Sequence, residues 1–165
     1  MTNQRVEFSK IYDKYIGKIY RFVVLKVSST EIAQDICSET FLRGWESFKQ
    51  EKVDNPQAFL YRIARNLVID HYRQKGRTRI VSADSVQIID NRSQVAEQAA
   101  LSVDMDQIKT KLANLSDDYQ NVIIWRYLDD LSIKEVANLL DRSEDATRVL
   151  LHRALESLRK DVNSI

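Results

Sequence analysis

The scarcity of helix-breaking residues limits what this chain can fold into more than any other feature. Its 165 residues include three Gly and one Pro. Sheet proteins need turn residues about every 8–12 positions, and this chain lacks them. We therefore predict an all-α fold of long helices. Hydrophobic residues make up 44% of the chain and charged residues 30%, which suffices for a buried core and a solvated surface.

Apolar residues in the first half recur three and four positions apart, as on one face of a helix. The pattern predicts a first helix over about residues 5–27. Ser28 and Glu31 have the spacing of a capping box. They predict the start of a second helix, whose apolar stripe continues to Phe48.

Asn55 followed by Pro56 predicts the start of a third helix, because Asn is a favoured N-cap and Pro a favoured first helical residue. Gly76 is expected to end this helix. Three helices can enclose one small core, so we predict a first domain over residues 1–76.

The second half is predicted to form a separate helical domain. Residues 77–93 lack sustained periodicity and are interpreted as a linker. A helix is expected over about residues 94–114, within a second domain that spans residues 94–165. Ser116 is positioned to cap the helix that follows.

A helix-turn-helix is predicted near the C-terminus. Ser132 and Glu135 form a capping box for a short helix over Ile133–Leu140, and Ser143 caps a longer helix to about residue 160. Two helices joined by a three- or four-residue turn are typical of this DNA-binding motif.

Charge and cysteine content exclude several classes of function. The formal net charge is +1, which argues against a uniformly basic nucleic-acid coat but not against a local basic patch. Cys37 is the sole cysteine, so an intrachain disulfide or a cysteine-based metal site is not expected. No segment has the pattern of a signal peptide or a membrane span, and we expect a cytoplasmic protein without cofactor, metal or membrane insertion.

Basic residues are concentrated in segment 61–79, which has six Lys or Arg and one acid, Asp70. With Ile63, Ala64 and Leu67 inward, the outward or flanking side chains are predicted to be Tyr61, Arg62, Arg65, Asn66, Ile69 and Arg73. Cations bind phosphates, rings stack on unpaired bases, and an Asn amide bonds to base edges. The pattern therefore favours melted DNA over the alternative, an ordinary solvated helix face.

Two other segments carry candidate contacts. Asp35 and Glu39 lie four residues apart on one helical face, which is either a solvated edge or a docking face for a basic partner. No neighbouring nucleophile supports catalysis, so an enzyme is not expected. In the helix-turn-helix, the candidates for duplex contact are Arg142, Thr147, Arg148, His152 and Arg153.

Taken in order, these segments resemble the extracytoplasmic-function (ECF) sigma factors of the sigma-70 family. Asp35, Glu39 and the run to Trp45 resemble the family's clamp-binding helix, and the run from Ala58 to Asp70 resembles its promoter-melting helix. Leu115 and the residues that follow it resemble the start of its second domain.

The resemblance implies a function in transcription initiation. Asp35, Glu39 and Phe41 would bind the clamp helices of core RNA polymerase, and Asn66 would contact a flipped base of the minus-ten element. The other implied minus-ten residues are Tyr61, Arg62, Arg65, Arg73, Lys75 and Arg77. The second domain would read the minus-thirty-five element of promoter DNA and touch the polymerase flap. Many family members are held inactive by an anti-sigma factor, and the resemblance implies such a partner here.

The chain departs from the family pattern in its final helix. Asp141 stands where the turn often carries Gly, and Val149, Leu150 and Leu155 stand at polar or basic positions of the family. Three consecutive apolar residues, 149–151, span about 200° of a helix and cannot all face one core. We expect part of this surface to meet a protein partner or to read DNA mainly through its backbone.

Two other functions remain open from the residues alone. A helix-turn-helix regulator that never binds polymerase would explain residues 115–160 but not the first hundred. A sigma-like protein-interaction module that has lost DNA reading would explain the apolar final helix.

Overall fold

The computed structural model describes residues 2–77 and 106–163, which fall into two compact helical units. The first contains α1 (Thr2–Lys26), α2 (Thr30–Gln50) and α3 (Pro56–Arg77), and each of these helices packs against the other two. The predicted linker, apart from residue 77, and the first part of the helix expected over 94–114 lie outside the described residues. The all-α prediction is confirmed for the described ranges, in which no strand occurs.

The helix starts of the first unit follow from side-chain caps. The Oδ1 atom of Asn55 accepts a hydrogen bond from the Ala58 backbone N at 3.1 Å, as the Asn-Pro pair predicts. The cap of α2 is Ser29, whose Oγ accepts from the Ile32 backbone N at 3.0 Å. The prediction of Ser28 as this cap is therefore wrong by one residue. The third helix continues through Gly76 to residue 77 rather than ending at the glycine.

The core of the first unit combines aliphatic and aromatic side chains from all three helices. Ile19, Phe22 and Val23 of α1 are fully buried, as are Ala33 of α2 and Ala64 of α3. Burial also raises the pKa of the Cys37 thiol to about 11, which keeps this side chain protonated and unreactive near neutral pH.

The two helices α2 and α3 approach closely at Gly44. A Cβ atom built at this residue would lie 2.9 Å from Cδ2 of Leu60, which is itself buried. A larger side chain at this position would have to displace the buried Leu60 side chain, so the glycine is explained by packing.

The second unit is built around Trp125. It contains α4 (residues 106–112), α5 (Asp117–Ile123), α6 (Ile133–Leu140) and α7 (Glu144–Asn163), and α7 packs against both α5 and α6. A π-helical turn over Ile124–Leu128 continues α5, with the Asp129 backbone N donating to the Ile124 carbonyl at 2.9 Å. The turn carries Trp125 into the core, where the side chain is almost fully buried.

The caps predicted in the second unit are confirmed. Ser116 accepts from the Tyr119 backbone N, and Ser132 and Glu135 form a reciprocal capping box. Ser143 accepts from the Ala146 backbone N at 3.0 Å and opens α7. Together they set the boundaries of the helix-turn-helix formed by α6 and α7.

Asp141 makes the turn of the helix-turn-helix in the left-handed region, with φ 60° and ψ 42°. Its backbone N donates to the Asn138 carbonyl at 3.3 Å, and the Arg142 backbone N donates to the Ala137 carbonyl at 3.1 Å. These bonds form a Schellman motif, in which Gly is the usual residue at the left-handed position. Asp adopts this conformation at a cost that Gly avoids.

We expect Asp141→Gly to raise the free energy of unfolding by about 1 kcal/mol, because it removes the left-handed strain while keeping both backbone bonds. Asp141→Ala should instead lower stability. Urea denaturation of the two variants and the parent chain measures the difference. A glycine variant less stable than the alanine variant would contradict this account of the turn.

Candidate nucleic-acid and polymerase interfaces

The outward face of α3 carries three of the residues expected to contact unpaired bases. Arg62, Asn66 and Arg73 are exposed, and their spacing places them on one ridge of the helix, called here the α3 ridge. Nη1 of Arg73 lies 3.8 Å from Oδ1 of Asp70, and both side chains are more than half exposed. Exposed pairs of this kind are weak, so Arg73 can turn to a phosphate at little cost.

Tyr61 is not part of the α3 ridge, and its predicted outward position is wrong. The residue is 0% exposed, and its ring packs edge-on against Phe22 with centroids 5.6 Å apart. Ala64 and Val68 follow at helical spacing and are buried with it. The aromatic ring therefore fills space between α1 and α3 and is not available to a base.

The remaining predicted minus-ten residues have mixed positions. Arg65 is partly buried beside the α3 ridge. The side chains of Lys75 and Arg77 lie outside the described residues. Ile63 and Leu67, which were predicted to face inward, are partly exposed, because the buried face of α3 is centred on Tyr61 and Ala64.

A cleft of about 440 Å³ lies at the loop between α2 and α3. Lys49, Lys52 and Val53 line it together with Gln4 and Glu7 of α1. The contribution of α1 to this cleft was not predicted from the sequence, because no local pattern links residues so far apart in the chain. The cleft places lysine side chains close to the start of α3.

The outward face of α2 combines carboxylates with an exposed leucine. Asp35 is exposed and Glu39 is partly exposed, with Oε2 accepting from Arg43 Nε at 2.8 Å. Leu42 is 54% exposed and lies seven residues after Asp35 and three after Glu39, on the same face. We call Asp35, Glu39 and Leu42 the α2 face.

Phe41 does not belong to the α2 face, contrary to the prediction. It is buried, with its ring centroid 4.8 Å from that of Tyr12 and 6.5 Å from that of Phe8. The apolar group available to a partner is therefore the next residue, Leu42. In the sequence Leu42 follows the more conspicuous ring of Phe41, and nothing in the local pattern favoured it.

Four of the five predicted duplex contacts in the helix-turn-helix are exposed: Arg142, Arg148, His152 and Arg153. Nη2 of Arg142 lies 3.3 Å from Oδ2 of Asp118. The fifth prediction, Thr147, is wrong, because this residue is 0% exposed and its hydroxyl donates to the Ser143 carbonyl at 2.8 Å. Thr147 holds the first turn of α7 and cannot reach DNA.

The apolar run in α7 divides between surface and core. Val149 is 48% exposed, whereas Leu150 is buried and Leu151 is partly exposed. The expectation that the three cannot share one core is confirmed, but Leu150 is not part of the outward surface. Within the described ranges no cluster of His, Cys, Asp or Glu could hold a metal ion, and no helix is long and apolar enough to cross a membrane.

Comparison with known proteins agrees with this arrangement. The family model for sigma-70 region 2 matches residues 11–78, and the model for sigma-70 region 4 matches residues 105–158. The ECF RNA polymerase sigma factor SigX of Bacillus subtilis is 30% identical over 93% of this chain and 82% of its own length. The chain belongs to the ECF sigma factors of the sigma-70 family. The units containing α1–α3 and α4–α7 are its region 2 and region 4 domains.

Other relatives match this chain over nearly all of its length and of their own. The ECF RNA polymerase sigma factor SigW of Bacillus subtilis is 29% identical over 96% of this chain and 90% of its own length. Among solved structures, CnrH in complex with the cytosolic domain of CnrY has a TM-score of 0.73 at 18% identity, covering 97% of this chain and 90% of CnrH. The sigma factor RpoE of Bartonella quintana, in complex with the anti-sigma factor NepR, has a TM-score of 0.70 at 20% identity, covering 95% of this chain and 97% of RpoE. These two likenesses support the fold.

The positions of Tyr61 and Asn66 predict a large effect on stability for one substitution and a small effect for the other. Tyr61→Ala should lower the free energy of unfolding by about 3–5 kcal/mol, because it leaves a cavity beside Phe22. Asn66→Ala, on the exposed ridge, should change it by less than about 0.5 kcal/mol. Urea denaturation of both variants measures this contrast. Equal stability of the two variants would mean that Tyr61 is not a core residue.

Proposed function

We propose that this sigma factor holds core RNA polymerase through the α2 face, opens the minus-ten element with the α3 ridge, and reads the minus-thirty-five element with α7. The observation that carries the proposal is the exposure of Arg62, Asn66 and Arg73 on one ridge of a helix whose other face is buried. A chain that served only as a duplex-binding regulator would have no need of this ridge.

The chemistry of the α3 ridge suits unpaired bases. Arginine side chains at both ends can bind phosphates, and the amide of Asn66 between them can both donate to and accept from one base edge. Because unstacking a base costs a few kcal/mol, contacts available only to the flipped base favour strand opening. With Tyr61 buried, we assign the stacking surface to Phe59, a partly exposed ring one turn before Arg62.

The cleft at the α2–α3 loop provides a second site for the displaced strand. Lys49 and Lys52 line the cleft together with Glu7 and Glu51, at the loop that precedes α3. The two lysines could hold the phosphate of a nucleotide whose base leaves the duplex.

We expect Asn66→Ala to reduce formation of the open complex by about tenfold while leaving closed-complex binding nearly unchanged, since the amide acts only on the unpaired base. Permanganate footprinting of the reconstituted holoenzyme on a promoter measures strand opening, and a mobility shift at low temperature measures closed binding. Gln74→Ala is a matched control, because it removes an exposed amide from the same helix away from the ridge.

An equal loss in the two assays would contradict a role for Asn66 in melting. Duplex binding without any effect of core polymerase would favour a plain helix-turn-helix regulator. Core binding without strand opening, even by the parent chain, would favour a protein-interaction module.

The α2 face fits a basic partner with an apolar spot. An exposed leucine surrounded by carboxylates can bury its side chain while Asp35 and Glu39 pair with cations at the rim of the contact. We assign this surface to the clamp helices of core polymerase, and the region 4 domain to the flap.

Leu42→Ala should weaken binding to core polymerase by about tenfold, because it removes the central apolar contact of the α2 face. Fluorescence anisotropy of a labelled sigma factor titrated with core enzyme measures the affinity. Val6→Ala, at another exposed apolar residue, is the control and should bind as the parent does. Unchanged binding by the Leu42 variant would exclude it from the contact.

We also propose regulation by an anti-sigma factor. The supporting observation is that the fold matches CnrH and RpoE, and that RpoE was solved in complex with the anti-sigma factor NepR. Such a partner would compete with core polymerase for the α2 face, where the exposed Leu42 offers the apolar contact.

A further inference from the structure

The face of α7 farthest from the core carries an unusual set of residues for a helix that enters DNA. Thr147, Leu150 and Ala154 are buried and define the inward side. Counting about 100° for each residue, the opposite side is a single ridge, called here the α7 ridge. Its members are Asp145, Val149, His152 and Glu156, all of which are exposed.

From Asp145 to Glu156 the α7 ridge holds no permanently charged cation, and the exposed Arg159 follows at the C-terminal end of the same side. Asp145 has a side chain that is 96% exposed, and one turn later Val149 is 48% exposed. His152 lies 3.7 Å from Glu156, between Nε2 and Oε2. A carboxylate repels the phosphate backbone, so the ridge is unsuited to binding DNA through phosphates.

Over the same stretch, the cations of α7 lie at the flanks of the α7 ridge instead. Arg148 occupies one flank and Arg153 the other, and both are exposed. This distribution matches a major groove, in which phosphates line both walls and the floor presents uncharged base edges. The arrangement is therefore compatible with duplex DNA whose bases, rather than its backbone, lie against Asp145 and Val149.

We propose that Asp145 and Arg148 together read one C·G base pair of the minus-thirty-five element and that Val149 reads the methyl group of a nearby thymine. This inference rests on the proposed function of α7 in promoter reading. It gives a base pair to Arg148, one of the predicted contacts, and adds Asp145 and Val149, which were not among them. At Val149, where a protein partner was one expectation, the inference assigns a DNA base instead.

The donor and acceptor pattern of the pair is complementary to C·G. Cytosine presents its N4 amino donor in the major groove, and guanine presents the acceptors N7 and O6. The carboxylate of Asp145 accepts from the cytosine N4 amino group, and the guanidinium of Arg148 donates to guanine N7 and O6. Nη1 of Arg148 already lies 3.0 Å from Oδ1 of Asp145, so the two groups are adjacent before DNA arrives.

Arg148 also makes the acidic residue tolerable near DNA. It contacts both Asp145 and Glu144, at 3.0 Å and 3.4 Å, and so offsets their charge. Because these pairs are exposed, they are weak and can be exchanged for bonds to guanine.

The position of Val149 sets the distance to its base. Four residues of helix rise about 6 Å, which corresponds to about two base steps of 3.4 Å when the helix lies along the groove. We therefore place the thymine two or three base pairs from the C·G pair. An apolar side chain at this position can contact the thymine C5 methyl.

The test is selection from random duplex DNA by holoenzyme reconstituted from the full chain and core polymerase, followed by sequencing. The parent should select an upstream element with a C·G pair followed within about three steps by A·T. Asp145→Asn should exchange this C·G preference for A·T by about tenfold, since an amide pairs with adenine. Asp106→Asn is the matched control, because it makes the same change at an exposed residue of the region 4 domain outside the helix-turn-helix, and it should select the parent's element.

A second measurement isolates Val149. Replacing the selected thymine by deoxyuridine removes one methyl group and should weaken binding by the parent about fourfold. Val149→Ala should bind the two DNAs equally.

The outcomes separate this inference from the proposed function. An upstream element selected identically by the parent and the Asp145 variant overturns the inference and leaves promoter reading intact. A second contrary result is that Asp145→Asn and Val149→Ala bind core polymerase more weakly while the selected DNA element is unchanged. It also overturns the inference and makes the α7 ridge a protein contact. Selection of no promoter sequence by the parent holoenzyme overturns the proposed function itself.

Discussion

The packing of Tyr61 against Phe22 determines what α3 can present to DNA. Successive residues of a helix turn by about 100°, so the side that enters the core decides which side remains outside. With the Tyr61 ring at 0% exposure between α1 and α3, the amide of Asn66 and the guanidinium groups of Arg62 and Arg73 must face outward. If a different residue of α3 faced the core, the whole helix would be rotated, and all three of these side chains would point elsewhere. The core of the region 2 domain and its candidate DNA surface are thus two results of one contact.

Much of the architecture was predictable from local chemistry. Sparse Gly and Pro predicted the all-α fold, and the caps at Asn55, Ser132 and Ser143 predicted helix starts that hydrogen bonds confirm. Asp141, which stands where the turn of the family often carries Gly, adopts the left-handed conformation. These features depend on a few neighbouring residues, so a single sequence contains the necessary information.

The errors share a different physical origin. Tyr61, Phe41 and Thr147 were placed outside because each has a polar atom or an aromatic ring that suits a partner, and each is buried. When a helix has a wide apolar side, its sequence pattern does not determine how the helix is rotated about its own axis. That rotation depends on the side chains of the other helices packed against it. Thr147 illustrates this, since its hydroxyl finds an acceptor within its own helix and no longer needs solvent. For the same reason Leu42 was not predicted as a contact, although it is the apolar centre of the α2 face.

The π-helical turn at Ile124–Leu128 fixes the direction in which the chain enters the helix-turn-helix. Such a turn is an α-helix that accommodates one additional residue, and here it brings the Leu131 backbone N to the Trp125 carbonyl at 2.9 Å and the Arg126 guanidinium to the Leu131 carbonyl at 3.2 Å. Removing one residue from this segment would restore ordinary winding but swing every following side chain about a third of a revolution. A chain one residue shorter here would therefore surround Trp125 differently and enter the helix-turn-helix in a different direction. The exact length of this short segment thus matters as much as the identity of its residues.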